Sequence, residues 1–133
     1  MKPYEITFAS EDEKRVMKIQ DLSFDFAKRI VILCKPYNNI KNNELIIYKQ
    51  LLKSGTSIGA NISEGEHPQS EADYLSKMNI ALKEACETQF WLRLLKECNY
   101  ITNIEAESLI HDCSRLIKIL ITIVNKVSNR IKK

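Results

Sequence analysis

Glu84 and Glu87 stand three residues apart, a spacing that places two carboxylates on one face of a helix. Carboxylate pairs of this kind hold metals in helical bundles when a Glu-x-x-His motif occurs on each of two helices. That motif is absent: His67 and His111 lie forty-four residues apart, and neither has a Cys, Asp or Glu partner in a pattern resembling a known metal site. Ser54, Ser57 and the four cysteines (Cys34, Cys86, Cys98, Cys113) are nucleophiles by residue type alone, because no strand-to-helix elbow and no Gly-rich phosphate loop presents them. The expectation is a protein with no catalytic residue, no metal and no cofactor.

Two polar sets are left, and both concern recognition. Ser54, Ser57, Asn61 and Glu64 are spaced three, four and three, so they run along a single helical face, and Tyr74, Asn79, Lys83, Glu84 and Glu87 on the next helix can supply partners. This set is either an interhelical polar network that holds register or a contact surface for a ligand or nucleic acid. The second set is basic. From His111 onward come Arg115, Lys118, Lys126, Arg130, Lys132 and Lys133 against Asp112 alone, whereas Ser70 to Glu107 holds seven acids and four bases. The basic strip and tail either complement a helix dipole and keep the surface soluble, or contact phosphates. Phe90, Trp91 and Tyr74 are open to a similar pair of readings: core or subunit interface, or stacking against bases.

The elements that position these residues are helical. Ile19, Leu22, Phe26, Ile30, Leu33 and Tyr37 recur at three and four, predicting a helix over about 19–37. A second, over about 44–64, carries Ile47, Leu51, Ile58 and Ile62 and stops at Gly65 to Pro68. Gly55 and Gly59 inside it each cost roughly 1 kcal/mol against Ala, which a close approach by another backbone would repay. Ser70 and Asp73 form a capping-box variant opening a third helix over about 70–98. In the fourth, over about 103–131, Ile110, Cys113, Ile117, Leu120, Val124, Val127 and Ile131 read as a coiled-coil seam. Leu109, Leu116, Ile119, Ile121 and Ile123 widen that stripe beyond what one antiparallel neighbour requires, which leaves surface for another subunit. No ladder of strand residues competes with these helices, and residues 1–15 read as a flexible arm ahead of a single domain over 16–133. The fold expected is an all-α, antiparallel, up-down-up-down four-helix bundle.

The chain of 133 residues, 44% hydrophobic and 28% charged, is long enough for one core without disulfides or metals. Its net charge of +3 does not by itself announce nucleic-acid binding. The cysteines form no C-x-x-C pair and fall in apolar helical settings, the pattern of reduced, buried thiols, and no apolar run approaches the roughly 20 residues of a membrane span. A cytoplasmic location without membrane attachment is the expectation.

The stretch SGTSIGANISEG from Ser54 to Gly65, followed by SEADYLSKMNIALKEACETQFWLRLL from Ser70 to Leu95, resembles the bacterial four helix bundle protein family, also known as the 23S rRNA intervening-sequence proteins. The similarity runs over about 22–121 and is carried by Ser54, Ser57, Asn61, Glu64, Gly65, Tyr74, Ala81, Lys83, Glu84, Glu87 and the block from Trp91 to Leu95. Lys53, Ser63 and the pair His67-Pro68 depart from residues common in that family. The resemblance implies a bundle that assembles as a ring-like homopentamer. It extends to the accessory proteins of diversity-generating retroelements, which associate with a reverse transcriptase and bind nucleic acid. Two expectations follow: a non-enzymatic oligomer binding structured RNA or DNA through its basic residues, or a scaffold for a reverse transcriptase or other mobile-element protein.

Overall fold

The computed structural model describes residues 5–10, 13–37 and 44–132, with side chains from Lys18 to Tyr37 and from Ile46 to Lys132. Helices α1 (Ile19–Cys34), α2 (Glu44–Glu64), α3 (Glu71–Glu97) and α4 (Asn103–Lys132) follow one another, with a 3-10 turn, Lys35–Tyr37, after α1. Each helix packs on its successor in the chain, and α1 against α4 completes a four-helix bundle. Connections as short as those flanking α3 reverse the chain at each end, so consecutive helices run antiparallel.

Local chemistry sets the helix ends. Ser70 Oγ accepts the Asp73 N–H at 3.0 Å, and the Asp73 carboxylate in turn accepts the Gln69 N–H at 3.2 Å, so the capping pair satisfies two amides at the start of α3. At its other end Asn99 adopts φ 63°, and the Tyr100 and Asn99 amides donate to the Leu95 and Lys96 carbonyls at 2.9 and 3.0 Å. This is a left-handed helix stop, and asparagine tolerates the conformation where a β-branched residue does not. Asn99→Val is therefore expected to lower the thermal midpoint, with a cost of about 1–2 kcal/mol, while Asn99→Gly is neutral or stabilising; calorimetry of both checks it.

The core is built from Phe26 and Ile30 of α1, Leu51, Ile58 and Ile62 of α2, Met78, Leu92 and Leu95 of α3, and Leu109, Leu116 and Leu120 of α4. Gly55 and Gly59 sit where α1 crosses α2. A Cβ on Gly59 would meet the Ser23 carbonyl oxygen at 3.3 Å, and one on Gly55 would meet Ile30 at 3.0 Å. Close packing thus explains both glycines. Gly59→Val is expected to cost about 2 kcal/mol in denaturant unfolding, because the obstructing atoms belong to the α1 backbone and cannot turn aside. Next to Ile30 on α1, Arg29 holds this helix to α4 by donating to Asp112 Oδ2 at 2.5 Å and to Ser108 Oγ at 2.9 Å.

Three expectations change. On α4 the buried line is Leu109, Cys113, Leu116, Ile119, Leu120, Ile123 and Val127. Of the expected seam, Ile110, Ile117 and Val124 are only half-buried and Ile131 is 43% exposed. The apolar arc of α4 is broad enough to admit two seam readings, and the helix is rolled towards the residues that the heptad pattern leaves at its margin. Second, Cys34 and Cys113 are buried, but Cys86 and Cys98 are exposed. Burial pushes the Cys34 and Cys113 thiols up to about 11 and about 12. A maleimide at neutral pH is expected to label Cys86 and Cys98 in the native protein and all four thiols after unfolding. Since the folded state keeps those two protons that the unfolded chain releases near the ordinary thiol value, stability should fall as pH rises above that value.

The third change lies ahead of the bundle. Where an arm and no strand were expected, β1 (Glu5–Ser10) and β2 (Glu13–Lys18) pair antiparallel, from Glu5 opposite Lys18 to Ser10 opposite Glu13. Ile6, Thr7, Phe8 and Val16 favour extended backbone, but β1 is only six residues long and four of the six residues of β2 are charged, so neither registers as an alternating pattern.

Candidate nucleic-acid interface

The polar line of α2 divides into separate local arrangements. Ser54 is fully buried; its Oγ lies 3.3 Å from the Leu51 carbonyl and 3.0 Å from Thr88 Oγ1, which also reaches the Glu84 carbonyl at 2.7 Å. Ser57 donates to the Lys53 carbonyl at 2.7 Å, Asn61 to the Ser57 carbonyl at 2.8 Å, and Glu64 approaches Lys77 at 3.9 Å. Thr88, which sequence reasoning passed over, thus carries a buried hydrogen bond between α2 and α3. Its four-residue step from Glu84 was the available signal. Of the expected partners on α3, Lys83 and Glu87 are exposed, Glu84 is half-buried and Tyr74 is buried, while Ser57 and Asn61 turn back to their own helix. Most of the line satisfies the preceding turn of α2, with one buried hydroxyl pair setting register.

Grooves offer little convergent chemistry. One of about 460 Å³ runs between α1 and α2 beside Phe24, Ala27, Thr56, Gly59 and Ala60, with Asp21 and Glu66 as its charged margin. Another of about 540 Å³ passes between α3 and α4, bordered by Leu75, Asn79, Ile80, Lys83 and Ile131. Neither gathers Asn61, Glu64 and Glu87. Among the described residues no group of three His, Cys, Asp or Glu side chains is placed to hold a metal ion, and no helix is long and apolar enough to cross a membrane.

The basic residues of α4 are arranged more coherently. At 100° per residue, Arg115, Lys118, Lys126 and Arg130 fall within an arc of about 120° along one flank of the core line. With a rise of about 1.5 Å per residue, Lys118 and Lys126 are about 12 Å apart and Arg130 is about 6 Å further. Lys118 and Lys126 are exposed, and no ion pair reaches them among the described residues. Arg130 is partly committed, its Nε lying 3.0 Å from Glu71 Oε1 at the start of α3. Arg115 is half-buried, with Leu116, Asp112 and Asp25 around the same cleft. Lys132 points off the strip by helical geometry, and Lys133 lies outside the described residues. Aromatic side chains are missing from the strip, so its chemistry is that of phosphate contact and not of base stacking.

Apolar side chains are exposed elsewhere. Phe90 is 58% exposed and packs edge-on against Trp91 with ring centroids 5.1 Å apart, and the buried Trp91 Nε1 has no hydrogen-bond partner among the described residues.

A family model described as 23S rRNA-intervening sequence protein matches residues 15–122. Among solved structures, a protein of unknown function from the S23 ribosomal protein family of Bacteroides thetaiotaomicron is similar at 47% identity and a TM-score of 0.73, covering 80% of this chain and 97% of that one. A search of curated proteins finds no match.

Proposed function

Because the chain belongs to the 23S rRNA-intervening sequence protein family, we propose that it is a non-enzymatic, cytoplasmic homo-oligomer that binds structured RNA or DNA through phosphate contacts. The observation that carries this reading is the strip of Lys118, Lys126 and Arg130, with two exposed cations about two helical turns apart and no described acid bound to either. Repetition of the strip around an assembly, for which the family resemblance suggests a homopentameric ring, multiplies a weak single-subunit contact into useful avidity. Light scattering alongside retention of a labelled duplex RNA tests it. A single oligomeric mass and salt-sensitive retention are expected; a monomer that retains nothing at low salt would overturn the proposal.

A second reading has its own support. The exposed Phe90, packed edge-on against Trp91, makes a patch that suits a protein partner offering an apolar side chain. Here the bundle serves as an accessory subunit for a reverse transcriptase or another mobile-element protein, as in diversity-generating retroelements. Phe90→Ser would then abolish capture of that partner while leaving RNA retention unchanged.

A further inference from the structure

The hairpin has no part in either reading above, and its backbone is incompletely bonded. β1 and β2 pair with each other, and β2 touches the start of α1 into which it leads. Each strand therefore keeps an outer row of N–H and C=O groups without a ladder partner among the described residues. A lone two-stranded hairpin is marginal in water, and an open edge is a template for another strand. β1 also lies wholly before the family-matched residues 15–122, so the hairpin is largely an addition to the shared bundle.

Charge selects the occupant. β1 contains one charged residue, Glu5, whereas β2 contains Lys14, Arg15 and Lys18 against Glu13. Two copies meeting through β2 edges would bring like charges together, but β1 of one copy beside β2 of another joins opposite net charges. We propose that the β1 edge of one copy pairs with the β2 edge of the next, head to tail, so that the hairpins form one continuous intermolecular sheet. The proposal rests on the homo-oligomer reading and deepens it: a head-to-tail contact repeats around a closed ring and leaves no edge open.

The test mixes unlabelled and isotope-labelled full-length chains, unfolds and refolds them together, and couples carboxylates to amines with a zero-length carbodiimide before peptide mass spectrometry. Mixed-isotope links between Glu5 and Lys14 or Lys18 are expected, together with slow amide exchange over residues 5–10 and 13–18. If mixed links occur among the helices while Glu5 couples to Lys18 within single chains only and the strand amides exchange rapidly, the edge pairing is wrong and the oligomer stands. A monomeric mass with no mixed link anywhere overturns both.

Discussion

Leu116→Ala and Ile123→Ala should each reduce the unfolding free energy by about 3 kcal/mol, whereas Ile131→Ala should cost less than about 1 kcal/mol. The first two side chains are 2% and 3% exposed against α4's neighbours, so truncation leaves a void that a close-packed bundle refills poorly; Ile131 is 43% exposed and has less buried area to give up. Equilibrium urea unfolding distinguishes this core from the alternative seam, on which Ile131 would be a core residue with a comparable cost. The edge residues have a different expected effect. Ile80, 39% exposed, and Ile131 border the same α3–α4 groove, so Ile80→Asp with Ile131→Asp should leave the helical signal intact yet weaken self-association at least tenfold if that groove is covered by another subunit. Sedimentation at several concentrations measures it.

Neutralising Lys118, Lys126, Arg130 and Lys132 together to Gln is the second large effect. Every cation–phosphate pair that disappears reduces the slope of log affinity against log salt by roughly 0.9, so removing all four charges should lower it by at most about 3.6 and reduce affinity about a hundredfold or more at physiological salt. Lys118→Gln with Lys126→Gln should account for most of this, because Arg130 is shared with Glu71 and Lys132 projects away from the strip. The weakening should be alike for all duplex sequences, since phosphate pairing carries no base information. Fluorescence anisotropy across a salt series checks both the slope and the ranking.

The helices were legible because the information lies in periodicity and caps. The α3 start at Ser70 and Asp73 and the α2 span were readable from local residues, and the Gly55 and Gly59 pair announced a close crossing that the structure places against Ser23 and Ile30 of α1. What could not be read was rotation about the helix axis. On α4 nearly half the circumference is apolar, so Leu116 and Ile117 compete as core residues until the positions of α1 and α3 choose between them. The polar line of α2 failed differently. Collinear spacing showed that Ser54, Ser57 and Asn61 share a face, yet a serine or asparagine on a helix can bond its own preceding turn, and Ser57 and Asn61 do so. Ser54, which lies deepest, is the member that meets a hydroxyl on the neighbouring helix. The basic strip was visible as a count of Lys and Arg; which of them remain uncommitted depended on Glu71 reaching Arg130 from the start of the neighbouring α3.

The proposed engagement of nucleic-acid phosphates by the surface of α4 is tested most simply by retention of a labelled structured RNA by the wild-type protein at 50 and 300 mM salt. Binding is predicted at the lower concentration, falling by at least tenfold at the higher. Absence of binding at both concentrations, by a protein of confirmed helicity and oligomeric mass, would contradict it.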